Sequence, residues 1–146
     1  MATIDEAWEL AEEEGVAFIK ATLNDSDDDD NTIEVGDNIL KLDQLNTILF
    51  NISGGTYQYQ QMQAGGGCWH ADGNIDGLFE SRGKARRCAT KIMTDVPYTG
   101  GTHLVKMFMV TFPTIETIEI QKINTTSIIW GWRLRMLFGA VFKSEV

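Results

Sequence analysis

The sequence predicts an α+β fold: a mostly antiparallel sheet with two helices packed on one face. Three observations carry this. First, Ile128, Trp130, Trp132, Leu134, Met136, Phe138, Ala140 and Phe142 form an unbroken apolar row at period two. Their alternates Ile129, Gly131, Arg133, Arg135, Leu137, Gly139 and Val141 are mixed, as in a strand with one buried face. Second, two separated stretches repeat apolar residues at the 3–4 spacing of amphipathic helices. Third, the order of elements is helix, three or four strands, helix, three strands, with no repeat or linker dividing the 146 residues. We therefore expect a single domain over residues 1–146, with residues 25–31 as a mobile acidic loop.

The first helix is expected to begin near Ile4, where Thr3 and Glu6 fit a capping box. Its stripe is Ile4, Trp8, Ala11, Gly15, Phe18, Ile19 and Leu23, with Glu9, Glu12, Glu13 and Glu14 mostly on the wet side. Asn24, Asp25 and Ser26 end it. Asp27, Asp28, Asp29 and Asp30 follow. A calcium-binding EF-hand loop starting at Asp25 would need Gly at Asp30 and Glu at Gly36, so that pattern fails. Short strands are expected at 32–36 and 38–42, and another at 45–52 before the turn Ser53-Gly54-Gly55. Residues 56–63 alternate Tyr57, Tyr59 and Gln61 against Gln58, Gln60 and Met62, an edge strand suited to lying against another chain.

Gly65, Gly66 and Gly67 read as a joint or bulge, because no Gly-Lys-Ser/Thr follows to cradle phosphate. Residues 68–72 read as strand, with Cys68, His70 and Asp72 on one face. Neighbours at i and i+2 stand ~6–7 Å apart along a strand, too far for a direct thiol–imidazole bond. A zinc site there would need Cys88 or His103 as a further ligand, and Cys88 belongs to an apolar helix stripe. Residues 74–80 are the approach to a second helix capped by Ser81. Ala85, Cys88, Ala89, Ile92, Met93 and Val96 form its stripe and Pro97 stops it. Lys84, Arg86, Arg87 and Lys91 are expected on its outer side, in a basic cluster with Arg82. Residues 104–112 suggest a central strand ended by Pro113, with Leu104, Phe108, Val110 and Phe112 on one face and Val105, Met107 and Met109 on the other; 115–123 suggest a half-exposed one, and 128–142 the long final strand. A strand of fifteen residues would reach ~50 Å, so it must bend at Gly131 or Gly139 or project beyond the domain.

The net charge of −9 is unevenly placed. Residues 1–50 hold 14 of the 21 carboxylates and two of the 12 basic residues, so that half carries −12 and the remainder +3. Such asymmetry suits a complementary partner surface. The basic helix lacks interleaved aromatics and the chain is acidic overall, which argues against sequence-specific nucleic-acid binding. No apolar run approaches the ~18 residues of a membrane span, and the acidic start does not read as a secretory signal. Two cysteines make no disulfide framework, so both are expected as thiols in a reducing compartment. No metal, cofactor or catalytic set stands out; sticky strands, opposed charges and glycine joints favour assembly.

Residues 68–97 carry the Trp69 strand, Asp76, Leu78 and Phe79, the Ser81-Arg82 helix start, then Ala85, Ile92 and Pro97. Strands with a break at Pro113 follow, and the last ends Phe138-Gly139-Ala140-Val141-Phe142. In element order, residues 40–142 resemble the tail-terminator and minor tail (head–tail joining) proteins of long-tailed bacteriophages. The resemblance implies a structural virion protein without enzymatic activity or cofactor. It implies a ring, expected to be hexameric, that is assembled in the host cytoplasm and joins the tail tube to neck and connector proteins. The acidic run 27–30 matches no part of that pattern. The candidate interface residues are Asp27, Asp28, Asp29, Asp30, Tyr57, Tyr59, Arg82, Lys84, Arg86, Arg87, Lys91, Arg133 and Arg135. Two alternatives stay open: a monomeric adaptor that binds by strand addition, and a small Cys/His enzyme built on Cys68, His70 and Asp72.

Overall fold

The computed structural model describes residues 3–24, 33–36, 45–53, 61–62, 68–121 and 128–143. Asp27, Asp28, Asp29 and Asp30, the strand expected at 38–42, Tyr57 and Tyr59, and the triple glycine lie outside the described residues.

Two long strands carry the sheet. Strand β4 (Cys68–Phe79) runs antiparallel to β8 (Ile128–Lys143), from Cys68 opposite Lys143 to Phe79 opposite Trp132. On the far side of β4 lies β2 (Thr47–Ser53), with β3 (Gln61–Met62) further along the same edge. Strand β1 (Glu34–Gly36) joins β2 in parallel, so the α+β sheet is mixed rather than purely antiparallel. On the far side of β8, β6 (Leu104–Met109) and β7 (Thr114–Gln121) lie one after the other, both antiparallel to it. Strand β5 (Tyr98–Thr99) borders β6.

The apolar row of β8 faces the helices. Leu134, Met136, Phe138, Ala140 and Phe142 are buried beside Ile75 and Phe79 of β4 and Ile48, Phe50 and Ile52 of β2. Above them lie α1 (Ile4–Asn24), through Ala11, Ile19 and Leu23, and α2 (Arg82–Asp95), through Ala85, Cys88, Ala89 and Ile92. Both helices therefore cover one face. Gly15 sets how closely α1 approaches, since a Cβ there would collide with the Phe50 ring.

The helix starts follow the expected caps. The Glu6 amide donates to Thr3 Oγ1 at 3.1 Å, and the Lys84 amide to Ser81 Oγ at 3.1 Å. Each satisfies a first-turn amide that has no partner within its helix.

Five expectations are corrected. Residues 74–79 are the continuation of β4, not a loop approach, because ladders on both sides hold them extended. Strand β6 ends at Met109: Val110 donates to the Leu137 carbonyl, the chain then leaves the ladder, and Phe112 is left 81% exposed. A bulge between Leu104 and Lys106 turns both Leu104 and Met107 toward the core, against simple alternation. Lys84, expected on the outer side of α2, is only 5% exposed, with Nζ reaching Glu80 Oε1 at 3.4 Å. Its long aliphatic stem buries easily while the head finds a carboxylate. Finally, Glu12 and Glu14 are turned inward rather than toward water, as described next.

Candidate functional site

Helix α1 fastens itself to the sheet with polar side chains. The Trp8 indole donates to the Ile52 carbonyl at 2.7 Å, while the Ile52 amide donates to Glu12 Oε2 at 2.8 Å. Both backbone groups of one edge residue are thereby satisfied by a helix, which blunts that length of edge against pairing. Two residues on from Glu12, and so on the other side of α1, the Glu14 carboxylate receives the amides of Thr102, His103 and Leu104 at 2.6–3.1 Å. Gly100, with φ of 96°, turns the chain just before them. Three converging amides form an anion-binding nest, and Glu14 occupies it.

The helical layer is divided by charge. Glu6, Glu9 and Glu13 are exposed on α1; Arg82, Arg86 and Arg87 are exposed on α2, with Lys91 half-buried. The two helices meet where Thr22 Oγ1 donates to Asp95 Oδ2 at 2.7 Å.

Among the described residues, no helix lies on the opposite face of the sheet. Strand register places His70, Asp72, Asn74 and Asp76 of β4 on this face, beside Arg133, Arg135 and Leu137 of β8. Asp76 accepts from Arg133 Nε at 3.0 Å and from Nη2 at 2.6 Å, a two-pronged pair. That hydrogen bonding holds the Arg133 guanidinium above its ordinary pKa, with the charges of Asp76 and Glu116 adding to it and burial opposing. Arg135 stands farther off, its Nε 3.9 Å from Asp76 Oδ2, and stays half-exposed. Asn74 Nδ2 donates to Asn51 Oδ1 at 3.2 Å and Ser53 Oγ at 2.8 Å, so the polar row extends across β2. Where the chain leaves the ladder between β6 and β7, a cleft of about 390 Å³ opens, lined by Asn74, Asp76, Thr111, Thr114, Arg135 and Leu137.

The expected Cys68, His70 and Asp72 alignment holds at the level of register. Asp72 is buried and His70 half-buried, each engaged by other groups; the Cys68 side chain lies outside the described ones. Cys88 is buried in the core. Among the described residues, no cluster of His, Cys, Asp and Glu could hold a metal ion, and no helix is long and apolar enough to cross a membrane.

The least expected surface is at the far end of β8. Strand β4 reaches only to Trp132, whereas β7 pairs with β8 down to Ile128. Among the described residues, 128–131 pair with β7 alone and form an arm past the end of β4. The arm continues the core-facing row of β8 past the helices, leaving Trp130 at 66% and Ile128 at 53% exposure. Glu119, opposite Trp130 in the ladder, is exposed beside it. Of the expected interface residues, Arg133 and Arg135 lie on the open face, and the α2 cations on the opposite side of the molecule. The sequence reading missed Ile128 and Trp130 as surface residues, their signal being an apolar row longer than the domain; Glu119 is exposed, in keeping with the half-exposed strand expected there. The chain matches no known family model and no curated protein.

Proposed function

We propose that this protein is a structural virion component that assembles into a ring, capping the tail tube of a long-tailed phage and joining it to the head or neck. The observation that carries the reading is the arm. Two large apolar side chains held on a paired extension of the sheet stay more than half exposed in the single chain, and exposed apolar surface of this kind marks contact sites. The α+β architecture, with both helices on one face, agrees with the resemblance drawn from the sequence. The acidic α1 and basic α2 surfaces supply the opposite signs that head-to-tail contacts use. On this reading the protein performs no catalytic step and needs no cofactor.

The test is the solution mass by light scattering over a concentration series, with negative-stain images of large species. Uniform rings, hexameric on the reading above, are expected. Rings held by charge should loosen in 1 M salt, where screening shortens electrostatic reach to ~3 Å. A second reading draws on β7, whose ladder partner among the described residues is β8 alone. An adaptor could add a partner's strand along its other edge. It would yield a tight hetero-complex and no ring.

A further inference from the structure

We infer that the contact between copies is a knob in a cleft: the arm of one copy, with Trp130 and Glu119, enters the open-face cleft of the next copy, where Glu119 meets Arg135. The inference rests on the ring reading and specifies its interface.

Knob and cleft belong to opposite faces of one sheet. Trp130 lies on the face that the helices cover farther along β8, while Arg135 lies on the open face. Five residues of strand separate them, ~16 Å. A copy therefore cannot fill its own cleft, and the occupant must come from another molecule. A contact between unlike patches of identical chains is heterologous, the kind that closes into rings when the rotation allows.

The chemistry of the two surfaces matches. Leu137 gives the cleft an apolar wall, and Thr111 and Thr114 border it. At about 390 Å³, the cleft is within the ~300–1,000 Å³ that encloses drug-sized groups, and an indole is a modest occupant. Asp76, the carboxylate in the lining, is already held by two hydrogen bonds from Arg133. Arg135 is the cation left over, half-exposed and 3.9 Å from its nearest carboxylate oxygen. A guanidinium stacks on an aromatic face and pairs with a carboxylate, and the arm offers one of each. Glu119 has no ion-pair partner among the described residues.

The experiment uses Trp130→Ala and Arg135→Glu, alone and mixed, followed by sedimentation velocity. Each side chain is at least half-exposed, and matched circular dichroism and melting curves check that each variant folds. Each variant alone should raise the concentration for half-assembly at least tenfold, roughly the low end for an interface tryptophan anchor. Mixed in equal amounts, they should form a heterodimer and nothing larger. The Trp130→Ala copy retains the cleft and the Arg135→Glu copy retains the arm, so one good contact remains per pair. Glu119→Arg combined with Arg135→Glu should recover assembly. If either single variant forms rings at wild-type concentrations, or the mixture gives no heterodimer, the contact is wrong while the ring reading stands. If the wild-type protein remains monomeric at every concentration, both fall.

Discussion

Replacing Glu14 by Gln should be among the most damaging single-atom changes available on the surface of this protein. The carboxylate receives three successive amides, with distances of 2.6–3.1 Å. Hydrogen bonds to a charged group contribute ~1.5–3 kcal/mol each, and they are not additive when they share one acceptor. Gln keeps one carbonyl oxygen but turns an NH2 group toward amides that are themselves donors. The expected loss is therefore about 2–3 kcal/mol, close to one full charge-assisted bond, with the more exposed Thr102 contact contributing least. In urea, with a slope of ~1–3 kcal/mol/M, this should lower the midpoint by roughly 0.7–3 M without changing the slope. Amide exchange at Thr102, His103 and Leu104 should accelerate in parallel. Glu13→Gln is the control; Glu13 is exposed one residue away, and its change should stay within ~0.5 kcal/mol. A Glu14→Gln midpoint within roughly 0.3 M of wild type, with unchanged exchange at the three amides, would refute the idea that this carboxylate fastens α1 to the loop before β6.

Gly15→Ala sets helix propensity against packing. The helix gains ~1 kcal/mol, but the new methyl group meets the fully buried Phe50 ring, and overpacking costs ~1–3 kcal/mol or more. We expect a lower melting temperature; a rise would mean α1 shifts freely. Trp8→Phe removes the donor to the Ile52 carbonyl and Glu12→Ala the acceptor of its amide; each should cost ~1 kcal/mol, and Glu12→Ala should speed exchange of the Ile52 amide, whereas unchanged exchange would place the edge protection elsewhere. The Tyr98 hydroxyl is raised above 10.0, first by burial and then by the nearby Glu14 charge. The unfolded chain thus ionises first, so stability should be flat below about pH 10 and fall as pH rises through the higher folded value. Tyr98→Phe should lessen that alkaline loss in urea titrations from pH 8 to 11, and identical pH profiles would contradict the assignment.

What could be read from the sequence was whatever local periodicity alone decides. The buried row of β8, the stripe of α2 and the caps at Thr3 and Ser81 each follow from spacing over a few residues. What could not be read depended on distant neighbours. Gly73, Asn74, Asp76 and Gly77 look like turn formers, yet β2 and β8 hold them in the middle of a twelve-residue strand. Glu12 and Glu14 look solvated because carboxylates usually are, and only the positions of Ile52 and the 102–104 amides reveal their partners. Phe112 continues an apolar alternation, but the ladder has already ended. For the candidate site, the cations of α2 and Arg133 and Arg135 were named from sequence. Projection of the last strand beyond the domain was one of the options its length left open, but Trp130 was not singled out, because the row that includes Trp130 and Trp132 is uniform, and nothing local says where β4 and the helices stop covering it.

The place of β8 between β4 on one side and β6 and β7 on the other has a bearing on biosynthesis. Every strand that β8 joins leaves the ribosome before it does. The β2–β4 ladder can form early, but β7 has no described partner until β8 arrives, and neither half of the sheet can dock on the other. The nascent chain therefore waits with Phe79, Ile75 and Met107 lacking their neighbours, a period in which chaperone protection matters most. The same strand that unites the two halves also holds Ile128 and Trp130 at the surface, so the residues that close the core and the most exposed part of its apolar row belong to one element.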